Sequence, residues 1–163
     1  MNAPRVLGID PGVNGAIVEM TAQGELVQIH DMPTLEDGAK GRRTINAPLL
    51  ASIVFKSHAI KAFCELVGPR PGEGAVGAFG FGRSRGVIEG VLGACGVPVV
   101  MIAPPVWKRA AGIAAGKENK DSARSVAIAR WPSQAELFAR KMDIDRAEAA
   151  LIAVAGMMRE GGR

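Results

Sequence analysis

The chain has 163 residues, 48% of them hydrophobic, with 20 Lys+Arg against 16 Asp+Glu and a formal net charge of +4. That length and apolar content suit one core, a single domain over 1–163. No apolar run is long enough to span a bilayer and the N-terminus lacks the charged-then-apolar design of a leader, so a cytoplasmic protein with no membrane partner is expected.

Residues 5–10, 15–20 and 25–30 read as three short strands in a meander, reversed at Asn14-Gly15 and Gln23-Gly24. The polar, basic and glycine-containing stretch 31–46 reads as a mobile loop, followed by a helix starting near Asn46 with Pro48 in its first turn. A strand over 59–67 comes next, then a loop over 68–80 rich in Gly and Pro of the kind that borders active sites. Residues 84–94 predict a helix whose apolar side is Val87, Ile88, Val91 and Leu92, while Gly86, Gly90 and Gly93 form a second stripe. Glycine costs helix stability, so the stripe implies close approach of another backbone, either the chain's own sheet or a two-fold partner. A fifth strand, 97–102, is expected parallel to 59–67 through a right-handed crossover, with Pro104-Pro105 ending it. Beyond it, a turn at 116–121 opens a helix running to Trp131 and stopped by Pro132, and the chain closes on an apolar helix. The order is α/β, a mixed sheet of three antiparallel and then two parallel strands flanked by helices.

Four acids stand out against this pattern. Asp10 ends the apolar run that begins at Arg5, and Glu65 lies inside a run that otherwise belongs to a core. Asp145 and Glu148, three apart, share one face at the start of the last helix. Burying such charges is costly unless a cation or hydrogen bonds meet them. Oxygen ligands without a His/Cys cluster favour Mg²⁺ or Mn²⁺ over zinc. Singly, each acid has an ordinary alternative: a turn at Asp10-Pro11-Gly12, a Lys61 pairing for Glu65, a capping box for Asp145 and Glu148. Asp143 is a rival to Asp145, although only Asp145 stands three residues before Glu148. Cys64 and Cys95 sit in apolar runs and read as reduced core thiols rather than a disulfide or metal site.

Taken in order, the motifs Gly8-Ile-Asp-Pro-Gly-Val-Asn-Gly15, Glu65, Phe81-Gly-Arg-Ser-Arg-Gly-Val87, Pro104-Pro-Val-Trp-Lys108 and Asp145-x-x-Glu148 resemble the RuvC-type Holliday junction resolvases of the RNase H-like superfamily. The likeness spans nearly the whole chain and is strongest to small phage-type or divergent bacterial members. It implies an RNase H-like fold and a homodimer that cuts four-way DNA junctions with two Mg²⁺ ions per site, Mn²⁺ substituting. Asp10 would bridge the ions, with Glu65, Asp145 and Glu148 completing their shells. Lys108 matches a family lysine near the metals, and Lys120 a second, with Lys117 as its alternative register. Two positions depart from the family: Glu148 stands where many members have Asp, and no aromatic residue follows Glu65, so junction opening must use other residues.

With those four acids set aside, 20 basic face 12 acidic side chains, a surplus available to a polyanion once cations fill the acidic centre. Arg42, Arg43, Arg70, Arg83, Lys108, Lys117 and Lys120 are the candidate DNA contacts, although any one basic group alone reads as solvated surface. Trp107, beside a strand end, reads as core rather than as a base-stacking platform. Competing functions are a broader nuclease for branched DNA or RNA–DNA hybrids and a catalytically silent junction-binding paralogue. An actin-like kinase needs a second lobe and phosphate loops that this length does not supply, so no nucleotide cofactor is expected.

Overall fold

The computed structural model of the chain describes residues 3–69, 71–114 and 121–161. Its frame is a five-stranded mixed sheet, as the sequence predicts. Strands β1 (Arg5–Asp10), β2 (Ala16–Thr21) and β3 (Leu26–Asp31) form the antiparallel meander. Two further strands, β6 (Ala59–Glu65) and β7 (Val99–Ile102), add in parallel on the other side of β1, giving the order β3-β2-β1-β6-β7.

Side chains alternate across a strand, so each strand feeds two cores. Leu7, Ile9, Ile17, Ala62 and Cys64 face helices α1 (Ala47–Ser57) and α2 (Ala75–Ala94). Val6, Val18, Met20, Phe63 and Ile102 face the opposite layer, made of α3 (Pro104–Ala110), α4 (Ser122–Arg130) and α5 (Ile144–Gly161). Asp10 and Glu65 have the parity of Val6 and Phe63, so both aim at the α5 side. They also stand level, one step beyond the Ile9–Cys64 pairing, at the ends of adjacent parallel strands.

Helix α5 is buried continuously from Ala149 to Gly156 and rich in alanine, which lets it lie close on the sheet. The tightest point is Gly8, where a Cβ would stand 2.1 Å from the Ala149 carbonyl oxygen and 2.7 Å from the Ala153 Cβ. Backbone cannot yield there as a flexible side chain would, so Gly8→Ala should cost about 3 kcal/mol or more. Urea unfolding of the variant checks this; an unchanged midpoint would contradict the packing.

The structure departs from the sequence reading in several places. The stretch 31–46 is an ordered hairpin of β4 (Thr34–Glu36) and β5 (Arg43–Ile45), with a 3₁₀ turn at Ala39–Gly41, rather than a loop. Helix α2 begins at Ala75, nine residues before the expected start, and absorbs part of the glycine-rich loop: Gly80 and Gly82 face open space, so they weaken the helix without a steric conflict. Strand β7 starts at Val99, two residues late, because Pro98 precedes it. Pro104 and Pro105 not only end β7 but occupy the first turn of α3, where a missing N–H costs nothing. The expected start of α4 at 116–121 lies largely outside the described residues; its visible part runs from Ser122 to Arg130. Asn46 caps α1 by accepting from the Leu49 N–H at 3.1 Å.

Beyond the neighbouring residues and backbone of their own helix, nothing among the described residues lies within 4 Å of a Cβ built at Gly86, Gly90 or Gly93. Packing on the chain's own sheet therefore does not account for these glycines. Cys64 is buried and Cys95 half-buried, both are free thiols, and burial pushes Cys64 up to about 12. No helix among the described residues is long and apolar enough to cross a membrane.

Candidate metal centre

Residues distant in sequence meet at one end of the sheet. Strand β1 and helix α5 run in opposite directions, so two residues beyond Gly8 the strand reaches Asp10 as the helix reaches back from Ala149 toward Glu148 and Asp145. Ligand oxygens of Asp10, Asp145 and Glu148 lie within 4.8 Å of one another. Glu65 lines the same cleft, together with Pro11, Asn14, Arg43 and Ser84. The turn after Asp10 is tight enough to require a small residue: a Cβ at Gly15 would stand 2.0 Å from the Asp10 carbonyl oxygen.

The electrostatics are those of crowded, partly desolvated carboxylates. Asp10, only 7% exposed, is raised well above the ordinary carboxylate range by burial and then by Glu148, Glu65 and Asp145. Burial also raises Asp145, whose hydrogen-bonding contact with the Asp10 carboxyl works in the opposite direction. Glu148 is pushed up to about 7 by burial, Glu65 and Asp145, with Lys108 acting in the opposite direction. Carboxylates crowded and desolvated in this way repel one another when ionised. Four carboxylates with no imidazole or thiolate among them fit a hard divalent cation.

Asp143 and Asp145 are separated by their partners. Asp143 is buried and accepts from the Arg140 backbone N–H at 2.8 Å and from its guanidinium at 2.7 Å, so the capping role belongs to Asp143. Arg146 stands 3.5 Å from Asp143 and grips Asp31 of β3 through two bonds of 2.6 and 2.7 Å, anchoring the first turn of α5 to the sheet. Asp143→Ala should therefore cost about 1–2 kcal/mol in thermal or urea unfolding while leaving any metal-dependent cleavage within a few-fold. Asp145→Asn should do the reverse, and the opposite pattern would move the centre to Asp143.

The basic candidates divide. Arg43 lines the cleft and donates to the Asn14 side chain. Lys108 is exposed on α3, its Nζ 5.4 Å from the Trp107 ring centroid and its charge felt at Glu148. Arg42 is exposed on the β4–β5 hairpin. Arg83 pairs with Asp37 at 2.7 Å, tying α2 to the hairpin, and is absent from the cleft lining. Arg70, Lys117 and Lys120 lie outside the described residues.

Sequence reasoning missed the second role of Trp107. It is core, 1% exposed, but its indole N–H also donates to Glu65 Oε1 at 2.7 Å. The only signal was a residue with one polar atom placed five positions after β7, the strand that pairs with the one carrying Glu65.

No protein-family model and no curated protein sequence matches the chain. Solved structures do. RuvC from Thermus thermophilus superposes with a TM-score of 0.61 at 20% identity, covering 96% of both chains. The T. thermophilus RuvC in complex with Holliday junction substrate matches with a TM-score of 0.61 at 18% identity, over 97% of this chain and 96% of that one. Together with the mixed sheet and its order, these matches establish that the chain has the RuvC-type, RNase H-like fold.

Proposed function

We propose that this chain is a structure-selective endonuclease, a single nuclease domain that resolves four-way DNA junctions by metal-dependent hydrolysis of phosphodiesters on opposed strands. The observation that carries the reading is the meeting of Asp10, Asp145 and Glu148, with Glu65 in the same cleft, on a fold shared with a protein solved in complex with a Holliday junction.

Asp10, Glu65, Asp145 and Glu148 would hold two Mg²⁺ or Mn²⁺ ions. When bound, such ions supply a water of lowered pKa and charge stabilisation for the leaving 3′ oxygen, and the products carry 5′ phosphates. Lys108 neutralises charge developing on the scissile phosphate from the α3 side. Arg43 and Arg42, on the hairpin beside the cleft, hold the DNA backbone, with Arg70, Lys117 and Lys120 as further phosphate contacts and Arg83 the weakest of the set because Asp37 already engages it. Recognition then rests on junction shape and backbone contact.

Opposed cuts need two copies. Phe79, 74% exposed, lies at helical spacing from Gly82, Gly86, Gly90 and Gly93, a face of α2 that leaves room for a second α2 about a two-fold axis. A homodimer built there carries two clefts related by that axis.

The test is a substrate panel: four-way junction, Y-fork, linear duplex and RNA–DNA hybrid, each in Mg²⁺, Mn²⁺ and EDTA. Cleavage confined to the junction and lost in EDTA is expected. Comparable cutting of several substrates would make the chain a broader branch nuclease, and binding without cutting a silent paralogue.

A further inference from the structure

Glu65 differs from the other three acids. It lies in the cleft and its charge bears on both Asp10 and Glu148, yet it is not in the tight trio whose oxygens fall within 4.8 Å of one another. Trp107 is placed to hold its carboxylate. Glu65 pairs with Ile102 at the end of β7, and Pro104 and Pro105 start α3 at once with φ already helical, so the chain brings Trp107 to Glu65 within five residues.

The contact is a constraint in both directions. The indole is buried among the α3–α5 core and cannot swing away, and its N–H donates at 2.7 Å to an oxygen of a carboxylate. If Glu65 moved, it would strand a buried donor. The donor is also neutral. A lysine or arginine in its place would fix Glu65 equally well but would compete with a cation for the carboxylate's charge; an indole orients the group without bringing a positive charge of its own. Lys108, the residue after Trp107, is exposed on α3.

We infer that Trp107 is a positioning residue, whose indole N–H pre-sets the Glu65 carboxylate for cation binding. This rests on the metal-dependent reading above and adds to it a residue outside the acidic set. Partners that orient ligating groups are commonly worth about 10–100-fold in metal affinity.

The chain provides its own control, because its other tryptophan, Trp131, is also buried but donates to the Gly24 backbone carbonyl at 3.0 Å. Mn²⁺ binding without DNA, measured by calorimetry, should weaken about tenfold or more in Trp107→Phe. It should stay within about twofold in Trp131→Phe, an equal loss of core volume. Turnover of junction should fall in Trp107→Phe with little change in KM. Wild-type Mn²⁺ affinity in Trp107→Phe, alongside loss in Asp10→Asn, overturns the positioning role alone. Wild-type affinity in both variants overturns the metal-centre reading, and the positioning role with it. A measurement on the unmodified core covers a Trp107→Phe chain that does not fold. In ¹⁵N-tryptophan-labelled protein, the Trp107 indole resonance should move on adding Mg²⁺ and again in Glu65→Gln while that of Trp131 stays. A Trp107 resonance indifferent to both overturns the inference.

Discussion

Asp10→Asn is expected to abolish junction cleavage while leaving junction binding at least as tight as in the unmodified chain. Asp10 is the most buried of the four acids, and the other three all act on it. Replacing it removes a ligating oxygen from the centre of the set, and metal-assisted charge stabilisation is worth several kcal/mol, so a loss of about a thousandfold or more is the scale to expect. The same change removes a negative charge from a surface that must approach phosphates. It also relieves repulsion within the cluster, so the metal-free variant should melt at or above the temperature of the parent. Loss of activity with gain of stability distinguishes a functional carboxylate from a structural one. Cleavage at the parent rate would remove Asp10 from the centre.

The second large effect is on stability in EDTA. Glu148 titrates at about 7 in the folded chain against 4.5 for the ordinary side chain, so between those values the folded state holds a proton that the unfolded state has released. Stability falls with rising pH wherever the folded state binds more protons. The contribution of Glu148 is therefore fully present below pH 4.5 and lost as pH rises through 7. The shift corresponds to at most about 3 kcal/mol, less with the solvent access Glu148 retains. Asp10, also raised, acts with the same sign. Asp31 and Asp143 act the other way: Arg146 lowers Asp31, and the Arg140 hydrogen bonds lower Asp143 against the upward pull of burial. Both favour the fold above the usual carboxylate range and lose that benefit in stronger acid. Urea unfolding in EDTA should show a decline between pH 5 and 8, and saturating Mg²⁺ should reverse it at pH 8 far more than at pH 5. A flat profile, or equal metal stabilisation at both pH values, would contradict crowded carboxylates awaiting a cation.

Much of the frame was legible because its signals are local. Short apolar runs bounded by Gly and Pro located the five strands of the main sheet, and single acids at the ends of two of those runs stood out as costly to bury. The spacing of Asp145 and Glu148 is a property of any helix. What was not legible depends on tertiary partners. Glycine propensity argued against a helix at 75–83, yet the helix extends through Gly77, Gly80 and Gly82, the last two facing open space. The β4–β5 hairpin is only three residues a side, too short for alternation to declare it. Asp143 is engaged by Arg140, which fold geometry turns onto it, while Asp145 stands with Asp10 and Glu148, a difference no spacing declares. Trp107 read correctly as core, but composition cannot say where a buried indole sends its one donor, and here it goes to Glu65.

The most direct test is to map, nucleotide by nucleotide, where each strand of a four-way junction is cut, using end labels on all four strands in Mg²⁺. Two acidic centres related by a two-fold axis should nick two opposed strands at symmetry-related positions, leaving 5′ phosphates that a ligase can seal. Cuts on single or adjacent strands at unrelated positions, or uncut junction under conditions where the protein binds it, would contradict a paired, metal-dependent resolvase.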